Sequence, residues 1–417
     1  MHGDSSPTTA SERQSIHKVG LNGNVGGCSV WKTVMNLLIV GAGFRMVWIS
    51  RVLSSLGWLF GFALLLAIGT LSAYLVICMY EAYAKSRLKG HSFVPSYCGL
   101  IDHVLGRKCM YIAWVALNLT MVGFQASGIV LATAQIKELV DTSLDKRSIC
   151  LIVSAIYSLL SLVNSPSFLA YISLFGLLGS IILAFTILSA GIIKINQDGV
   201  AQTSLASSNL TDILMAASHA VMSFNMVFAT VPQIGGMKDF RKFPRAASLT
   251  FSGLGLLYLI IATVCYCGWG SILASKSTPV DVLANGNATI SMMIALAIEI
   301  FSVAQYAGLF YAIGISTDSL SKKPIIRISL RLGLHAIQSA LAYFAIRDIR
   351  IIIDIVAVSF VPLLAIILPA LLHCKSSRLL ETRRYFELAF FSLVITAAAA
   401  VTALGLPRAV SSAFSPA

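Results

Sequence analysis

The chain is predicted to be an all-α polytopic membrane protein with about eleven transmembrane helices. Three observations predict this class. Of 417 residues, 57% are hydrophobic and 11% are charged, with mean hydropathy +0.85. Soluble domains run at roughly 45–50% apolar and about 25% charged. The apolar residues are gathered into runs long enough to cross a bilayer, and the basic residues sit in small clusters between the runs. A soluble enzyme, a disordered chain and a nucleic-acid-binding domain are excluded, although the net charge is +13. Basic clusters between apolar runs instead mark the loops of a membrane protein.

Residues 1–31 are polar, with Ser, Thr, Gly and Asn prominent. They read as a disordered cytosolic tail, and 32–417 as the membrane domain. No short apolar stretch follows a basic start, so span one is expected to serve as its own insertion signal. A spanning helix needs about 20 apolar residues. Within lipid its backbone N–H and C=O groups must pair inside the segment. Eleven runs satisfy this: 32–53, 57–84, 109–136, 148–164, 168–193, 213–233, 246–271, 290–316, 326–346, 350–373 and 385–406. A β-barrel is excluded because its strands are short and alternating, whereas Leu59–Ile77 and Ile351–Leu372 are nearly continuous.

Orientation follows from Lys and Arg. With the amino terminus inside, twenty of the thirty fall in inside segments and eight in outside ones; Arg45 and Arg51 lie within span one. Such a bias predicts amino terminus in and, with eleven spans, carboxyl terminus out. The sequons at Asn209 and Asn287 fall in loops assigned outside and are candidate glycosylation sites. A third, at Asn118, lies within a span and is expected to be inert. The eight cysteines show no disulfide framework. Cys265 and Cys267 lack a second ligand pair for zinc and read as packing residues, so no metal or cofactor is expected.

Two spans carry helix-breaking residues. Gly41-Ala42-Gly43 lies within span one, and Thr230 to Gly236, with Pro232 and two glycines, ends span six. Pro removes a helix hydrogen bond, and Gly costs about 1 kcal/mol relative to Ala. In lipid, freed backbone is tolerated where it lines a cavity or is buried in protein. Broken helices at matching places in two halves point to a transporter substrate site; a close small-residue helix contact is the competing reading. The breaks are five spans apart, which permits a five-plus-five inverted repeat.

At these positions the chain resembles the amino acid/auxin permease family of the amino acid–polyamine–organocation superfamily. The stretches are Asn36 to Gly43, Leu56-Gly-Trp58 and Leu71 to Tyr74; Phe224, Val231-Pro232-Gln233 and Met237-Lys238; Leu257-Tyr258, Cys265 to Gly270, and Pro362, Pro369 and Ala370. The resemblance implies the leucine-transporter type of fold and secondary transport of amino acids or related small zwitterions. It also implies a substrate site formed by the backbone of Gly41, Ala42 and Gly43, with Phe224, Val227 and Thr230 opposite. The physics agrees, because half-helix ends offer free N–H groups and a positive dipole to a carboxylate. The sequence departs from the family where Phe44-Arg45-Met46-Val47-Trp48 replaces the usual Ile-Leu-Gly-Leu-Pro. It departs again where Val227 and Gly236 replace His and Glu.

Ionisable residues inside a membrane are functional by default. Arg45, near the middle of span one, is expected to pair with Glu299 of span eight as a gate, or to act on the substrate carboxylate. The competing expectation is that it snorkels. Arg51 is expected to snorkel, and Asp354 to sit near the surface beside Arg350. His219 is the candidate proton-coupling group, since imidazole is the side chain that changes charge near neutrality. No ATP-binding motif is present, so coupling to protons is expected, with Na+ as the alternative ion. A plasma-membrane or vacuolar/lysosomal location fits. A nutrient sensor of the same fold with little flux is the alternative, and an integral-membrane enzyme is disfavoured by the lack of a His or acidic cluster.

Overall fold

The computed structural model describes residues 28–414 except 44, 89–95, 141–143, 164–165, 207–209, 276–281, 284–287, 319–322, 347–348 and 377–380. The tail before Cys28 and the sequons Asn209 and Asn287 lie outside the described residues. Each of the eleven predicted spans contains helix among the described residues. Among the described residues, eight helices are long and apolar enough to cross a membrane.

α1 (Val30–Gly41) starts at Ser29, whose hydroxyl accepts from the Lys32 N–H. Just before it, Cys28 pairs by backbone with Met237, the residue that closes the second broken helix. α2 (Arg45–Leu88) contains a non-helical turn at Gly57, with φ +77° and ψ −175°. This turn divides the rest of span one from span two. The N–H groups freed there, on Trp58 and Leu59, donate to the carbonyls of Ser204 and Leu205. Gly is required: a Cβ would stand 2.7 Å from the Ser204 oxygen.

α3 (Tyr97–Leu105) lies beside α4 (Arg107–Val140). α5 (Lys146–Ser161) is capped by the Asp145 carboxylate. It is followed by α6 (Pro166–Asp198), α7 (Leu210–Phe224), α8 (Val227–Gly236) and α9 (Phe243–Trp269). The second half continues with α10 (Ala288–Asp318), α11 (Pro324–Phe344) and α12 (Ile349–Ser359). A π turn (Leu363–Ile367) leads into α13 (Leu368–Ser376), and α14 (Glu381–Phe414) completes the order.

The packing is that of two intertwined halves. α2 lies against α7 and α9, while α10 lies against α6 and α4. Around the outside, large apolar side chains face outward, as Leu174, Leu178, Ile181 and Phe185 do along α6. That stripe would associate in water and is at home in hydrocarbon.

The chain is broken twice in span-forming helices. α1 ends at Gly41, and Gly43 has φ +84°. α7 ends at Phe224, and α8 begins only at Val227. This second break corrects the expectation that Thr230 to Gly236 would form it. Pro232 lies inside α8 with an exposed side chain, and Gly235 and Gly236 end that helix. The helix survives the one hydrogen bond Pro232 removes, whereas carbonyls released at the break find side-chain donors elsewhere in the fold.

Candidate substrate site

The two breaks are joined by Tyr258 of α9. Its hydroxyl reaches the Gly41 carbonyl and also lies 3.2 Å from the Ser223 carbonyl. One phenol thus ties the end of α1 to the end of α7. Arg45, at the start of α2, donates from Nη1 to the Asn225 carbonyl at 3.0 Å. Its guanidinium carbon lies 5.5 Å from the centre of the Phe124 ring of α4. A helix interrupted in a membrane leaves carbonyls that need donors. Here a Tyr and an Arg from other helices supply them. Tyr258→Phe is expected to keep the fold but lower the unfolding free energy by about 1–3 kcal/mol, because the one O–H donor shared by the Gly41 and Ser223 carbonyls is lost. A shift in the thermal midpoint of the detergent-purified protein measures this; no shift would mean that water takes over the phenol's role.

Gly41, Ala42 and Gly43 are buried at the first break, and a Cβ on Gly43 would overlap the Phe301 ring of α10. Phe224 is buried and meets Tyr258 edge-on, with ring centres 5.2 Å apart. Val227 and Thr230 are buried on the first turns of α8, and the Thr230 hydroxyl donates back to Met226. The residues named from the resemblance therefore lie on the elements that meet at the two breaks. A groove of about 330 Å³ between α2 and α9 also reaches Phe224 and Tyr258. Its walls are mostly apolar, with Leu65, Gly69, Phe251 and Gly255 among them, and Thr70, Ser252 and Tyr258 bring hydroxyls but no charged group. The polar junction of the breaks is the better seat.

Arg45 and Glu299 form no ion pair among the described residues, which corrects the expected pairing. Position along the sequence puts the two residues at similar depths but says nothing of which face each one presents. α10 presents Phe301 to Gly43, and Glu299, two residues away, points about 200° around the same helix. Arg51 also departs from expectation. It is 5% exposed, lies 4.9 Å above the Trp48 ring, and donates to the Leu273 and Ala274 carbonyls. The short helix Ile272–Ser275 offers those carbonyls, so burial satisfies the guanidinium better than snorkelling.

His219 of α7 is buried, and its Nε2 lies 2.9 Å from Oδ1 of Asp354 on α12. The imidazole stacks on Trp48 of α2, with centres 5.6 Å apart. Asp354 was expected at the surface beside Arg350; it is instead 4% exposed and turned toward His219. A second polar cluster ties the scaffold. Tyr306 of α10 bonds His335 and Gln338 of α11, Gln338 bonds Gln125 of α4, and His335 reaches the Ser154 carbonyl of α5.

Sequence reasoning missed Asn225, Phe301 and the His219–Asp354 pair, and it cited Tyr258 without a role. An Asn inside an apolar run is a legible signal for the first. The others depend on which distant helices meet.

Two interrupted helices five spans apart, crossing inside a helical bundle, define a transporter of the leucine-transporter fold. The chain matches the family described as transmembrane amino acid transporter protein over residues 26–410, and it belongs to that family. Among solved structures it resembles MhsT in complex with L-phenylalanine, with TM-score 0.59 and 13% identity over 92% of this chain and 98% of that one. It also resembles a mutant of the Eremococcus coleocola manganese transporter, with TM-score 0.53 and 15% identity over 92% and 97% of the two chains. These two likenesses are likenesses of fold.

Proposed function

We propose that the protein carries out secondary active transport of amino acids or related small zwitterions, driven by protons. The observation that carries this reading is the meeting of two broken helices, with Gly41, Ala42, Gly43 and Arg45 on one side and Phe224, Val227 and Thr230 on the other. Family membership supplies the substrate class. Rocking of the helices that contain the breaks against α4 and α10 would expose the junction to each side in turn. His219, with Asp354, is the proposed coupling site, and Glu299 and Arg45 keep separate roles. The amino terminus is placed in the cytosol, with Asn209 and Asn287 as glycosylation sites on the opposite side, in a plasma membrane or a vacuolar/lysosomal membrane.

The test is uptake into proteoliposomes across the twenty amino acids, with and without an imposed pH gradient, and with choline replacing Na+. Uptake that follows the pH gradient and ignores choline replacement is expected. Dependence on Na+ would overturn proton coupling. Saturable binding without uptake under every gradient would replace the transporter reading with the sensor.

A further inference from the structure

Arg45 is a buried charge without a counter-charge. It is 1% exposed, and among the described residues no carboxylate forms an ion pair with it. The buried Asp354 is held by His219, and Glu387 by His373. Arg45 has one carbonyl bond and one aromatic face, and its Nε is buried with no partner. Its direct neighbour Asn225 is 1% exposed and leaves both Oδ1 and Nδ2 without partners. A buried cation is costly unless it is paired and fully hydrogen-bonded. The carboxylates of Asp354 and Glu387 are engaged elsewhere, and Glu299, whose Oε1 is also buried without a partner, forms no ion pair with Arg45, so an unmet cation at the crossing of two helix breaks points to an anion that arrives from outside.

We propose that Arg45 is the receptor for the carboxylate of the substrate, with Asn225 completing the contact. This rests on the reading that the breaks form the substrate site, and it specifies the substrate: a free α-carboxylate is required. The guanidinium forms charge-assisted bonds to the carboxylate. The Asn225 amide can donate to the same group through Nδ2 and accept from the substrate ammonium through Oδ1.

The experiment is thermal unfolding of the purified full-length protein, in choline buffer at one fixed pH. The probes are an equimolar mixture of the twenty L-amino acids, the corresponding α-carboxamides, and sodium-free acetate and chloride. Wild type is expected to be stabilised by the amino acids at concentrations about a hundredfold below those at which the carboxamides act. Arg45→Met keeps the apolar stem and is expected to fold, to be at least as stable without ligand, and to lose the difference between acids and amides. Arg45→Lys is expected to recover part of it. An amino acid shift retained in Arg45→Met overturns the proposal, and so does a lower ligand-free midpoint with the shift intact, which is the mark of a structural role. A full shift from acetate or chloride alone overturns it in favour of a free-anion site. If no probe stabilises wild type and no uptake is seen, the substrate reading itself falls, a result separate from the Arg45→Met comparison.

Discussion

Gly43→Ala is expected to abolish uptake. At φ +84° an L side chain is strained, at roughly 1–2 kcal/mol. The added methyl would also lie within the Phe301 ring. Phe301 is fully buried on α10, which packs against α4 and α6, so the ring cannot simply swing away. Overpacking of this kind costs about 1–3 kcal/mol. The cheapest relief is movement of the first break, which displaces the backbone meant for the substrate. Gly308→Ala on the same helix has open space around the new methyl and serves as the matched control, with uptake near wild type. Phe301→Ala in the Gly43→Ala background should restore part of the folded yield, because the overlap is removed while the backbone strain remains. Folded yield by size exclusion and uptake in proteoliposomes read both effects. Transport by Gly43→Ala at the wild-type rate would place the substrate elsewhere.

His219→Gln and Asp354→Asn are expected to uncouple the protein from the pH gradient. The two side chains meet at 2.9 Å and are both buried, so removing one leaves the other without its partner. The expected coupling energy from a double-mutant cycle on stability is about 1–3 kcal/mol. The charged group packed beside them is Arg51, stacked on Trp48, with its guanidinium engaged by carbonyls of the short helix Ile272–Ser275. It stays constant through the cycle. Exchange of labelled for unlabelled amino acid at equal pH should survive in each variant, while uptake driven by a pH gradient should fall to background. Gradient-driven uptake that persists in both variants would remove the pair from the coupling path, and strictly additive stability losses would show that the contact carries no energy.

Most of the fold was legible in the chain. Each apolar run of the required length became a helix because lipid leaves the backbone no other partner. The paired glycines near residue 42 marked the first break, because only a residue without Cβ tolerates the φ and the proximity of Phe301. The second break was misplaced toward Pro232. Local propensity weighs a lost hydrogen bond, and Pro232 loses one; it does not register the donors that make a break tolerable. Those donors, Tyr258 and Arg45, reach Ser223 and Asn225 from other helices.

The charged residues followed the same division. Composition and spacing said that Arg45, Glu299 and His219 lie within spans, where a charge needs a reason, and put Asp354 near the surface. Depth is one coordinate, readable from position along a helix at 1.5 Å per residue. Facing is a second coordinate, and it depends on how each helix is rotated against its neighbours. The sequence by itself determined a bundle of membrane helices, a break in the first of them and a family resemblance. Tertiary structure alone decided that His219 meets Asp354, that Glu299 turns from Arg45, and that Arg45 remains a buried cation beside an unsatisfied Asn225. Those outcomes rest on contacts between residues 135 to 180 positions apart, and no local pattern encodes a rotation that packing against several other helices sets.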